Sequence, residues 1–167
     1  MIKPLTLFAL VFFLFLPLSA AVACTCVTLD QKIPNKQMKA NYLNTFKGSV
    51  FTGKVVNIEV ETIVDPYGSD GSTEHYSARF KKVTIRVERY WLNVDKPEVT
   101  IYTGMGGGDC GVDFQVDHSY FFSPQLMNTR LMSGYCEYDS ADSMRADGVS
   151  VKRFEKLFGK GKTFKND

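Results

Sequence analysis

The sequence predicts a mainly β protein: a five-stranded closed barrel of the OB-fold type, followed by a C-terminal helix and stapled by disulfide bonds. Long runs rich in β-branched residues are spread over residues 48–136 and are typical of strands. No helical segment separates one run from the next, as a parallel α/β sheet would require. The strongest helical pattern lies at the end of the chain, and long, coiled strands favour a small barrel.

The first 23 residues indicate a secretory signal peptide. Lys3 precedes an apolar run over residues 5–18, and Ala-Val-Ala at 21–23 supplies the small residues that precede a cleavage site. Cleavage leaves one domain, residues 24–167, which we expect to be secreted or otherwise extracytoplasmic. No second apolar run is long enough to span a membrane, so the mature chain is expected to lack a transmembrane segment.

The first two strands are predicted at 48–64 and 76–91. Between them, the segment DPYGSDGST at 65–73 is rich in turn-forming residues and indicates a loop. Apolar residues of the second strand change phase between Phe80 and Val83. We therefore expect a β-bulge near Lys81 and Lys82 to reconcile the two phases.

Three further strands and two helices complete the predicted order. EVTIYT at 98–103 is the third strand, and a glycine run follows it at 104–108. Residues 111–123 alternate through Val112, Phe114 and Val116, which predicts a fourth strand with a turn at 117–118; residues 129–136 predict a fifth. Residues 37–43 have helical character. A final helix is expected after Ser150 and is expected to end at Gly159.

Several function classes are disfavoured by composition and motifs. The mature chain has 19 basic and 18 acidic residues, which gives no electrostatic case for nucleic-acid binding. Gly106, Gly108 and Gly111 satisfy G-x-G-x-x-G, but a strand pattern follows where a dinucleotide site needs a helix. No nucleophile motif or metal-ligand spacing is present. We expect a monomer that is not an enzyme and holds no cofactor of its own.

Four cysteines remain after cleavage: Cys24, Cys26, Cys110 and Cys136. An even number in an exported chain favours disulfides. A Cys24–Cys26 bond would close a strained ring, so the residues themselves leave two schemes open. In each scheme, one N-terminal cysteine bonds Cys110 and the other bonds Cys136.

Cleavage before Cys24 would also create a metal ligand. The new α-amine has a pKa of about 8, and it forms a five-membered chelate together with the carbonyl oxygen of the same residue. Such a chelate can fill the open coordination position of a catalytic zinc in another protein. Disulfides through Cys24 and Cys26 would hold it rigid and reduce the entropic cost of binding.

The order of these motifs resembles the inhibitory domain of the tissue inhibitors of metalloproteinases. The similarity covers CTC at 24–26, VFTGKVV, KVTIRVERYWLN, CGVDFQVDHSYFF and LMSGYCEYDS. The resemblance implies an OB-fold with disulfides Cys24–Cys110 and Cys26–Cys136, and chelation of a protease's zinc by Cys24. It also implies an inhibitory ridge and a peripheral contact loop at 65–73. The ridge residues are Cys24, Thr25, Cys26, Val27, Gly108, Asp109 and Cys110.

The sequence departs from that family at specific points. Thr28 stands where the family usually has proline, a third disulfide and the second domain are missing, and Asp109 brings a negative charge to the ridge. Two alternatives therefore remain. One is an exported OB-fold domain that binds another ligand. The other is a lipid-anchored envelope protein, because AVAC at 21–24 partly matches a lipidation signal and lipidation would block the amine of Cys24.

Overall fold

The computed structural model describes residues 34–65, 76–106, 108–136, 138–140 and 151–165. Two helices and seven strands lie within these ranges. In chain order they are α1 (Asn35–Thr45), β1 (Val50–Asp65), β2 (Tyr76–Leu92), β3 (Glu98–Thr103), β4 (Ser119–Phe122), β5 (Gln125–Met127), β6 (Arg130–Met132), β7 (Tyr138–Ser140) and α2 (Val151–Phe158). The prediction of a mainly β protein is confirmed.

The seven strands form one curled sheet with the order β5-β6-β3-β2-β1-β4-β7. Neighbouring strands are antiparallel except β3 and β6, which are parallel. Strands β4 and β5 occupy distant positions in this order, yet only Ser123 and Pro124 separate them along the chain. The sheet must therefore curl to bring these two positions together.

The first three predicted strands and both helices are confirmed. Strand β3 has the predicted bounds, and α1 contains the predicted helical segment 37–43. Gly159 ends α2 as expected: its φ is 83°, and its N–H donates to the Glu155 carbonyl at 2.7 Å. The expected cap Ser150 and most of the loop at 65–73 lie outside the described residues.

The predicted bulge near Lys81 and Lys82 is wrong. The β1–β2 ladder runs without interruption across these two residues, and its register shifts lie nearer the start of β1, the last one between Val55 and Asn57. Because successive side chains of a strand alternate between faces, Phe80 and Val83 simply lie on opposite faces. In the half of the hairpin that contains Val83 and Ile85, these side chains bury one face of the sheet. In the outer half, which runs from Ile58 to Asp65 and from Tyr76 to Val83, Phe80 partly buries the other face.

The fourth predicted strand is shorter than expected. Only β4 forms within residues 111–123, although Val112 and Phe114 are buried as the alternation predicted. Val116 is exposed. The predicted fifth strand is instead the β5–β6 hairpin, which turns at Asn128 with a φ of 54°. Neither β5 nor β7 was expected, because three-residue strands leave too little periodicity to recognise.

Two hydrophobic clusters stabilise the molecule. The first lies inside the curled sheet and consists of Phe51, Val55, Val83, Ile85, Val87, Ile101, Val112, Phe114 and Phe122. The second packs α1 and α2 against β1 and β4 through Met38, Val50, Phe121, Val151, Phe154 and Leu157. The helices therefore cover the sheet where β1 and β4 pair.

Phe154 is the residue that links both helices to the sheet. It is 0 % exposed and contacts the rings of Tyr42, Trp91, Phe121 and Phe158 at centroid distances of 4.6–5.7 Å. We expect Phe154→Ala to lower the free energy of unfolding by about 3–5 kcal/mol, because the lost ring leaves a cavity. Urea denaturation measures the change.

Leu43 provides the matched control for this substitution. It lies on α1 but is 58 % exposed, so Leu43→Ala should change the stability by less than about 0.5 kcal/mol. A loss of less than about 1 kcal/mol for Phe154→Ala would contradict the packing of α2 described above.

Candidate functional site

The loop that follows β3 is folded around the carboxylate of Asp109. Oδ2 accepts a hydrogen bond from the Met105 amide at 2.6 Å. Oδ1 accepts from the amides of Gly106 at 2.8 Å and Gly111 at 2.9 Å. One carboxylate thus satisfies three backbone donors that no strand or helix satisfies, and it ties Met105, Gly106 and Gly111 together.

Two glycines allow the chain to close around this carboxylate. A Cβ on Gly104 would lie 2.5 Å from the carboxyl carbon of Asp109. A Cβ on Gly111 would lie 2.2 Å from the carbonyl carbon and oxygen of Gly104. Gly104 and Gly111 are therefore sites of close packing, and the described chain from Gly111 to Phe122 contains no helix that could hold a pyrophosphate.

The hydrogen bonds change the acidity of Asp109. Desolvation raises the pKa of this carboxyl, but the amides of Gly111, Gly106 and Met105, together with its own amide, outweigh desolvation and hold the pKa below its usual value. The carboxyl is consequently ionised at neutral pH. Its carboxylate oxygens accept hydrogen bonds from three backbone amides of its own loop.

The lowered pKa predicts a pH-dependent contribution to stability. For a group whose folded-state pKa is depressed, the stabilisation is present above the unfolded-state value, here 3.8, and is lost as the pH falls through the folded-state value. Asp109→Asn should therefore cost less than about 1 kcal/mol at pH 7, because the carboxylate is exposed and solvent screens its charge. The difference from the wild type should shrink below pH 3.8. Urea denaturation of both proteins at pH 7 and at a pH below 3.8 measures this difference. An equal cost at the two pH values would contradict stabilisation of the Asp109 carboxylate by the three backbone amides.

Cys110 and Cys136 lie on adjacent segments. The Tyr135 amide donates to the Cys110 carbonyl at 3.0 Å, and the Ser133 amide donates to the Tyr102 carbonyl at 2.8 Å. Cys110 has a φ of 57°, an uncommon value for a residue other than glycine. Neither Cys110 nor Cys136 is a free thiol. The hydrogen bonds hold the ends of two loops side by side.

The segment after Cys110 is anchored to β2 and β3. The Val112 amide donates to the buried Thr103 hydroxyl at 3.0 Å. Lys81 donates to the Val112 carbonyl at 3.4 Å and forms an ion pair with Asp113. Side-chain contacts thus hold residues 111–113 in place, although no strand forms there.

The expected site residues fall into two groups. Gly108, Asp109 and Cys110 share one exposed or half-buried loop, and Cys136 lies beside it. Residues 24–27, which include both N-terminal cysteines, lie outside the described residues. The predicted disulfides, and the proposed ligand at Cys24, therefore stay predictions.

Two residues of this region were not expected from the sequence. Tyr135 is 52 % exposed and supplies the amide that joins the two loops. Lys81 was predicted only as part of a bulge, but it reaches the segment after Cys110. Both roles depend on contacts between residues far apart in the chain, and a single sequence carries no periodic signal for them.

The chain matches no family model and no curated protein. Within the described ranges, no helix has the length and hydrophobicity needed to cross a membrane. Among the same residues, no group of three or more histidine, cysteine or acidic side chains could hold a metal ion. The function of the protein is therefore inferred from the sequence and from the contacts around Cys110 and Cys136.

Proposed function

We propose that the mature chain, residues 24–167, is a secreted inhibitor of zinc metalloendopeptidases. The α-amine and carbonyl oxygen of Cys24 chelate the catalytic zinc of the protease. Thr25 enters the adjacent specificity pocket. Cys26 and Val27 continue the ridge, and Gly108, Asp109 and Cys110 form its second limb. The protein holds no metal of its own and acts as a monomer.

The observation that carries this proposal is the hydrogen bond between the Tyr135 amide and the Cys110 carbonyl. It sets Cys110 beside the segment that ends in Cys136. Two cysteines separated by one residue, as in CTC at 24–26, need two partner cysteines that lie close together. Both open pairing schemes meet this need, and the one that the resemblance implies, Cys24–Cys110 with Cys26–Cys136, would hold the N-terminus rigidly against the segment around Cys110.

The sheet supports a closed OB-fold barrel as the scaffold. Strand β1 pairs with both β2 and β4, and β3 pairs with β6 in parallel. Ser123 and Pro124 join β4 to β5 along the chain, and closure of the curled sheet would bring these two strands side by side. Closure removes exposed strand edges and gives a rigid frame for the loops. A rigid frame keeps the proposed ligand oriented before it meets the protease.

A panel of zinc endopeptidases tests the proposal. The assay uses purified protein whose N-terminus is verified as Cys24 by mass spectrometry. We expect inhibition of at least one enzyme that competes with a small zinc-chelating inhibitor, because both occupy the metal. No inhibition across the panel would favour an exported OB-fold domain that binds another ligand.

The same mass measurement tests the lipid-anchored alternative. A diacylglyceryl group on Cys24 would consume its thiol and leave three cysteines for disulfides. Lipidation that also acylates the amine would contradict the chelation mechanism, since an acylated amine is a poor metal ligand. We expect the mass of the unmodified chain from Cys24, less the hydrogens lost in two disulfide bonds.

A further inference from the structure

A cavity of about 180 Å³ lies between the outer half of the β1–β2 hairpin and the β5–β6 hairpin. Its walls are mainly apolar, and two polar side chains stand among them. The lining residues are Ile63, Ala78, Phe80, Met127, Asn128, Arg130 and Met132. Ile63 from β1 and Ala78 and Phe80 from β2 lie on the same face of the hairpin, which is the face opposite to Val83.

The cavity has the size of a small ring. An apolar cavity of about 150 Å³ in another protein holds benzene. A six-membered ring with a short substituent therefore fits here, whereas drug-sized ligands need at least about 300 Å³. Phe80 offers a ring face, and Met127 and Met132 offer polarisable side chains that adapt to the shape of a ligand.

Arg130 brings a positive charge to this cavity. Its guanidinium lies 5.8 Å from the centroid of the Tyr102 ring, and it forms no ion pair with any of the described residues. The nearby Glu61 is engaged elsewhere: Lys82 lies 3.5 Å from its carboxylate, and the Tyr102 hydroxyl donates to it at 3.4 Å. A guanidinium in this position favours a carboxylate, which can accept two parallel hydrogen bonds from it.

We propose that this cavity binds a small apolar monocarboxylate, with its ring or branched chain against Phe80 and Met132 and its carboxylate on Arg130. Few polar groups around a mainly apolar cavity are typical of small-molecule sites, where the polar groups fix the orientation of the ligand. The site is independent of the proposed protease inhibition, because it uses none of the residues of the ridge.

Titration with benzoate tests this site in the isotope-labelled mature protein, monitored by the backbone amide signals in NMR spectra. We expect saturable shifts at Ile63, Ala78 and Met132 with a dissociation constant of about 1 mM, a value reasonable for a ligand of this size. Benzamide has the same shape without the charge, and it should bind at least about tenfold more weakly. Absence of saturable shifts at these residues, or equal binding of benzamide, would overturn the proposal.

Two variants separate the charge from the cavity. Arg130→Gln should weaken benzoate binding about tenfold and leave benzamide unchanged. Ala78→Leu should fill the cavity and abolish binding of both compounds, and the dispersion of the NMR spectrum shows that each variant remains folded. Unchanged benzoate binding by either folded variant would overturn the proposal.

Discussion

Adding one alanine before Cys24 is expected to abolish inhibition of a zinc endopeptidase, with a loss of at least about 100-fold, or roughly 2.7 kcal/mol. The extension converts the amine of Cys24 into an amide, whose nitrogen lone pair is delocalised into the carbonyl group. An amide nitrogen is a poor zinc ligand, and the added residue also occupies space next to the metal. The inhibition constant of the extended protein measures the effect.

An alanine added after Asp167 is the control for this experiment. It changes the length by the same amount without touching the amine, so inhibition should be unchanged. Both proteins should unfold at the same urea concentration as the wild type. Unchanged inhibition by the N-terminally extended protein would contradict chelation by Cys24, and the scaffold would then act on the protease through other residues.

Gly111→Ala is expected to have the largest effect among substitutions in the loop at 104–111. The added Cβ would lie 2.2 Å from the carbonyl of Gly104 and 2.6 Å from the amide nitrogen of Gly106. These are backbone atoms, so the loop must open and Asp109 must lose hydrogen bonds. We expect a destabilisation of about 1–3 kcal/mol in urea denaturation. Inhibition should weaken at least about tenfold, because Asp109 and Cys110, which we propose as part of the inhibitory ridge, would move.

Gly108→Ala is the control in the same loop, because it adds the same methyl group without a steric clash. A Cβ there would meet no atom within 4 Å, although the φ of 138° disfavours it. The cost should therefore be limited to backbone strain of about 1 kcal/mol. If Gly111→Ala were as stable as the wild type and inhibited equally well, the close packing of this loop would have no role in the site.

The general architecture could be predicted from local patterns. Strand β3 and the long hairpin of β1 and β2 are rich in β-branched residues, and their alternation gives their positions directly. The same alternation led to a wrong bulge at Lys81 and Lys82, because a change of phase has two possible causes. A bulge is one, and a strand that buries opposite faces along its length is the other. The uninterrupted β1–β2 pairing at Lys81 and Lys82 decides for the second cause.

The candidate site was less predictable than the sheet. The sequence indicated that Asp109 brings a charge to the ridge, but three backbone amides bind that carboxylate. The contact between Tyr135 and Cys110 joins residues 25 positions apart. Such contacts are set by how the loops fold back on the sheet, and residue type and spacing do not specify them.

Cobalt substitution of the inhibited protease tests the central claim most directly. Co²⁺ in place of the catalytic zinc has visible absorption that reports its coordination number. If the Cys24 amine and carbonyl both bind, a four-coordinate site gains a fifth ligand. We expect the absorption to change in a one-to-one titration with the wild-type protein and to stay constant with the N-terminally extended one. Inhibition of the cobalt enzyme without a spectral change would contradict chelation by Cys24.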